Sequence, residues 1–85
     1  MNNLIIRHAA GVYWLIKPVQ KSKYVQPLVI NESAAEIVEY IQDGKNVYDI
    51  AVMLSEGDQS IVSEIEQDIL NLINEINRYF GFPAS

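Results

Sequence analysis

The chain contains one imidazole, His8, and no cysteine. Thiolate zinc sites, iron–sulfur clusters, disulfides and cysteine nucleophiles are therefore excluded, as is a multi-histidine metal centre within one chain. His8 lies between Arg7 and Ala9, and no acid precedes Glu32, so no carboxylate stands near it in sequence to orient it as a base. Ser33 and Ser60 sit at expected helix starts, where a hydroxyl satisfies free N–H groups. Neither lies between glycines, as a strained nucleophile turn requires. Glu64, Glu66 and Asp68 alternate along an expected helix and point in different directions, which makes a solvated flank and not a carboxylate pair. Gly11, Gly44, Gly57 and Gly81 never cluster, so no phosphate-cradling loop exists. These residue types predict a protein that is not an enzyme and uses no metal or cofactor.

The charges are divided along the chain. Residues 1–31 hold Arg7, Lys17, Lys21 and Lys23 and no acid, a charge of +4. Residues 32–85 hold all eleven acids against Lys45 and Arg78, a charge of −9, for a total of −5. Such polarity suits a surface tuned to a charged partner. It opposes DNA recognition by either of the last two helices, because phosphate repels an acidic reading element. Lysines 17, 21 and 23 alone would give only weak, non-specific contact with a nucleic-acid backbone. No nucleic acid is expected as a partner.

Eighty-five residues make one domain, residues 1–85. A chain of this size buries only ~60% of its unfolded surface, too little for a second lobe or a deep cleft. No apolar run reaches the ~20 residues that span a bilayer, so no membrane partner is expected. No basic leader with an apolar stretch opens the chain, and a cytoplasmic location is expected.

The first third reads as strands. Leu4, Ile5 and Ile6 form a short apolar run, residues 9–11 a turn, and residues 12–16 a strand rich in β-branched and aromatic residues that Pro18 stops. Residues 19–23 read as a loop and residues 24–30 as a third strand. Pro27 cannot donate to a ladder on both sides, which places that strand at a sheet edge. The remainder reads as three helices. Ser33 and Glu36 have capping-box spacing, Ala34, Ile37, Val38 and Ile41 form one face, and Gly44 ends the first helix. Asn46 caps the second, Val47, Ile50, Ala51 and Leu54 form its face, and Gly57 ends it. The third spans about residues 60–79, with Ile61, Ile65, Ile69, Leu72 and Ile76 as a stripe that Val62, Leu70, Ile73 and Phe80 widen. The predicted class is α+β, a three-stranded antiparallel sheet followed by three α-helices.

The stretch Leu28-Val29-Ile30-Asn31-Glu32-Ser33-Ala34-Ala35-Glu36-Ile37 resembles a segment of the PqqD family, in which an apolar strand runs through Leu-Asn-Glu-Thr-Ala into a helix. Gly44-Lys45-Asn46-Val47-Tyr48-Asp49-Ile50-Ala51 is similar to that family's second-helix start. Asp68-Ile69, with Leu72, Ile73 and Ile76, is similar to its third helix. Residues 10–18 are similar to its strand pair. The resemblance runs in order over nearly the whole chain, with Ile30 in place of Leu, Ser33 in place of Thr, and a different C-terminal tail. It implies a winged-helix-like fold. It also implies a non-catalytic peptide chaperone that binds the leader of a ribosomally made precursor peptide and presents it to a modifying enzyme, such as a radical SAM protein. The implied site is the groove between the third strand and the third helix, where the leader adds a strand to the sheet.

An exposed edge strand has the chemistry for this, because its unpaired N–H and C=O groups accept an extended peptide by β-augmentation. The candidate peptide-binding residues are Pro27, Leu28, Val29 and Ile30 on the strand and Ile65, Asp68, Ile69 and Leu72 on the helix. Alternation sends Leu28 and Val29 to opposite faces, and sequence alone leaves open which one faces the core. The alternative reading is a structural or dimerisation module that uses the same edge and helix, so monomer and homodimer both remain open.

Overall fold

A computed structural model describes residues 3–18 and 25–82 of the chain. Strand β1 (Ile5–Ala9) and strand β2 (Val12–Ile16) form an antiparallel hairpin, and β2 pairs in turn with β3 (Leu28–Ile30), giving the order β1-β2-β3. Helix α1 (Glu32–Gln42), helix α2 (Val47–Leu54), a short 3₁₀ turn (Gln59–Ile61) and helix α3 (Val62–Phe80) follow. This is the α+β arrangement of an antiparallel three-stranded sheet followed by three helices.

The hairpin turns in two residues. Ala10 and Gly11 both have positive φ, 54° and 78°, as the twist-matched type I′ turn demands. The first strand therefore runs through Ala9, beyond the apolar run Leu4-Ile5-Ile6. The third strand is shorter than residues 24–30, because it starts only after Pro27. Tyr24 and the basic loop with Lys21 and Lys23 lie outside the described residues.

The starts of α1, α2 and the 3₁₀ turn are set by amide and carboxylate side chains. Asn31 caps α1, its Oδ1 accepting the Ala34 N–H at 2.8 Å, so Ser33 falls inside the first turn and is not the cap. The reason is that β3 ends at Ile30, and Asn31 alone keeps the extended backbone that a cap needs. Asn46 caps α2 as expected, accepting the Asp49 N–H at 2.8 Å. Asp58 takes the role expected of Ser60: its Oδ1 accepts both the Ser60 N–H and the Ser60 hydroxyl. Those two hydrogen bonds hold the Asp58 carboxyl below the ordinary aspartate range. α2 ends at Leu54, three residues before Gly57, and Glu56 and Gly57 together make the left-handed reversal at φ 53° and 90°.

Two apolar clusters share α3. Leu4, Leu15, Val38, Ile76 and Phe80 are the buried centre of the first, with Ile6, Leu28, Ile30 and Leu72 packed around them. Ile50, Ala51, Val62 and Ile69 are the centre of the second, which joins α1 and α2 to the first half of α3. A helix of 19 residues is about 28 Å long, so α3 outreaches a short sheet and uses its first half on α2. Its last turn is bound to the sheet by Lys17, whose Nζ donates to the Phe80 carbonyl at 3.1 Å and lies 4.9 Å from the Phe82 ring centre. Among the described residues, no helix is long and apolar enough to cross a membrane.

Candidate functional site

The register shows which backbone groups the sheet leaves unspent. A two-residue turn is closed by a hydrogen bond from the Val12 N–H to the Ala9 carbonyl, so Ala9 and Val12 form a hydrogen-bonded pair. Antiparallel pairs alternate between bonded and non-bonded, so Arg7–Trp14 and Ile5–Ile16 are bonded and His8–Tyr13 and Ile6–Leu15 are not. Non-bonded pairs stand closer, in keeping with the parallel stack of the His8 and Tyr13 rings at 4.1 Å. By the same alternation the Leu4 carbonyl points off the β1 edge, where it accepts from Gln42 Nε2 at 2.8 Å.

The backbone groups of Tyr13 and Leu15 therefore point the other way, toward β3. They pair with Ile30 and Leu28. Leu28 and Ile30 spend their N–H and C=O groups on β2, and Val29 directs both of its groups out of the sheet. Pro27 and Asn31 have the same parity as Val29. Pro27 offers only a carbonyl, having no N–H. Asn31 offers only its N–H, because its carbonyl accepts from Ala35 at 3.0 Å to start α1.

Side chains follow the same alternation. Leu28 and Ile30 face inward onto the first cluster, and Val29 faces outward, 51% exposed. The outward face of the sheet is apolar apart from Arg7. Ile5 is 40% exposed, Trp14 and Ile16 are half-buried, and Arg7, Trp14 and Val29 stand side by side across the three strands. A sheet with one covered face ordinarily carries polar residues on the other.

On α3, Asp68, Leu72, Glu75 and Tyr79 fall at steps of four, three and four, which is one side of a helix. Tyr79 identifies where that side looks: its hydroxyl donates to the Gln26 carbonyl at 3.0 Å, on the chain leading into β3. Leu72 joins the cluster that holds Leu28 and Ile30. Asp68 is exposed one turn before Leu72. The structure thus brings together Leu28, Ile30 and Leu72, with Val29 at the strand edge and Asp68 on the facing flank.

Two expected helix residues lie elsewhere. Ile69 is fully buried in the second cluster between α3 and α2, so it has no surface to offer a peptide. Ile65 packs on the same cluster. The sequence sets both on one apolar stripe, and the stripe divides between two cores. Tyr79 and Asn31, absent from the expected set, belong to the site. The seven-residue step from Leu72 to Tyr79 carried the signal for the first. Among the described residues, no three His, Asp or Glu side chains converge in a way that could hold a metal ion. An open depression of about 430 Å³ against Asn74, Asn77, Arg78 and Phe82 sits at the far end of α3, away from Asp68.

No protein-family model matches the chain, and comparison with curated proteins and with solved structures found no match.

Proposed function

We propose that this chain is a non-catalytic peptide chaperone that binds an extended segment, the leader of a ribosomally made precursor peptide, and presents the rest of that peptide to a modifying enzyme such as a radical SAM protein. The single observation carrying this reading is that, among the described residues, β3 is an edge strand whose pairing leaves both backbone groups of Val29 unspent, with Leu72 of α3 packed in the cluster that holds Leu28 and Ile30. An added strand would satisfy those groups and gain affinity from main-chain bonds, with α3 side chains supplying selectivity. A winged-helix-like arrangement, which derives from the resemblance to the PqqD family, and a cytoplasmic site of action are part of the same proposal.

An amide NMR titration tests it, using labelled protein and the synthetic leader of a short peptide encoded beside the gene. Shifts are expected at Val29 and its neighbours and along Asp68 to Leu72. A folded protein whose spectrum is unmoved at millimolar peptide counts against the reading. The second reading, self-association, draws on the apolar outward face of the sheet. Light scattering during gel filtration separates the two: a dimer that persists on dilution favours self-association, and a monomer favours peptide capture.

A further inference from the structure

We infer that Val29 is the centre of strand pairing at this edge, and that the captured segment sets an apolar residue beside Val29 on the sheet face opposite α3. This rests on the peptide-binding reading above and adds its register and the kind of segment it takes. A free strand edge normally offers a donor and an acceptor on every second residue. Here the edge is cut on both sides. Pro27 withholds a donor, and Asn31 has committed its carbonyl to Ala35. Among the described residues the free groups form one short row: the Pro27 carbonyl, the Val29 N–H, the Val29 carbonyl and the Asn31 N–H. Only Val29 can exchange two bonds, so the added strand is centred there and is about five residues long at ~3.3 Å per residue.

The face opposite α3 then determines what the segment must carry. A residue paired with Val29 becomes the fourth member of the row Arg7, Trp14, Val29. Its side chain lies against Val29, which is 51% exposed and apolar. An apolar side chain there removes both from water, and a charged one forfeits its hydration against a neighbour that cannot pair with it. The residues before and after it point to the other face, toward Leu72 and the acidic flank of Asp68 and Glu75. The segment is therefore a short extended strand with an apolar centre and no acid at the two flanking positions.

The arrangement predicts an asymmetry among neighbouring amides. In the free protein, the Val29 amide should exchange with solvent deuterium at least tenfold faster than those of Leu28 and Ile30, which donate to β2. A protected Val29 amide beside unprotected neighbours would overturn the inference. For binding, the probe is the same synthetic leader, read by fluorescence of Trp14, the sole tryptophan. Val29→Pro removes one outward N–H and leaves the β2 ladder whole, and it should weaken binding at least tenfold. Single N-methylation along the leader tests the same point without touching the protein. Binding should fall at two positions, two residues apart, whose N–H groups meet the Val29 and Pro27 carbonyls, whether the added strand is parallel or antiparallel. A leader that binds wild type and tolerates every N-methyl group overturns the register and leaves peptide capture standing. A leader that fails to bind wild type overturns peptide capture itself.

Discussion

Lys17 is the residue that fastens the helical half to the sheet. Its ammonium group meets the Phe80 carbonyl at the negative end of the α3 dipole and the face of Phe82. Lys17→Met keeps the apolar stem and removes the charge, and should cost about 1 kcal/mol, read as a drop in thermal midpoint of roughly 4–8 °C. Ala10 is strained in the opposite sense, since a Cβ is disfavoured at φ 54°. Ala10→Asn creates the Asn-Gly pair that type I′ turns prefer, and denaturant titration should show a gain of about 0.5–1 kcal/mol. Tyr40 gives a pH test. Its hydroxyl donates to Glu36 Oε1 at 3.2 Å, and this bond, with the Glu36 charge, raises the phenol above its ordinary value. A raised folded value means that the contribution is whole below the unfolded pKa of about 10 and fades as pH rises through the folded one. Tyr40→Phe should therefore be less stable than wild type at neutral pH, and the gap should close in strongly alkaline solution.

At the scale of elements, α3 serves two cores and a flank, and substitutions should sort accordingly. Ile69→Ala empties a fully buried site between α3 and α2 and should cost about 2–5 kcal/mol. Leu70→Ala, next to it but 43% exposed, should cost far less. Asp68→Ala should weaken leader binding several-fold with little change in thermal midpoint, because Asp68 is exposed and on the flank that ends at Tyr79. Equal leader affinity in both proteins removes Asp68 from the site. The elements themselves were legible in sequence because each carries its own punctuation: Gly11 in the hairpin turn, Asn46 before α2, an apolar step of three and four along α3. What was not legible depended on partners. Ser33 and Asn31 are equally good caps in isolation, and only the end of β3 at Ile30 selects Asn31. Whether Leu28 or Val29 faces inward follows from the pairing of Leu15 with Leu28, a contact between residues far apart in sequence. The α3 stripe reads as continuous, yet Ile69 and Leu72 belong to different cores because α2 covers only the first half of the helix.

As a whole the molecule is elongated. Its radius of gyration is 13.8 Å, against the ~12 Å typical of a compact chain this long, because two small cores lie along one helix and do not merge. Small-angle scattering should return a value near the larger figure for a monomer. Charge is divided as well: among the described residues of 1–31 the cations are Arg7 on β1 and Lys17 just after β2, while eight of the eleven acids lie in α1, α2 and α3. Encounter with an extended segment that carries basic residues should accordingly slow as salt rises, since screening shortens the reach of the helical acids. The last turn of α3 has one more consequence. It holds Lys17 through the Phe80 carbonyl and Gln26 through the Tyr79 hydroxyl, so the segment between 17 and 26 begins and ends on neighbouring residues of one helical turn. One helical turn thus works as a clasp: a chain cut short before Tyr79 would release residues 17 and 26 together.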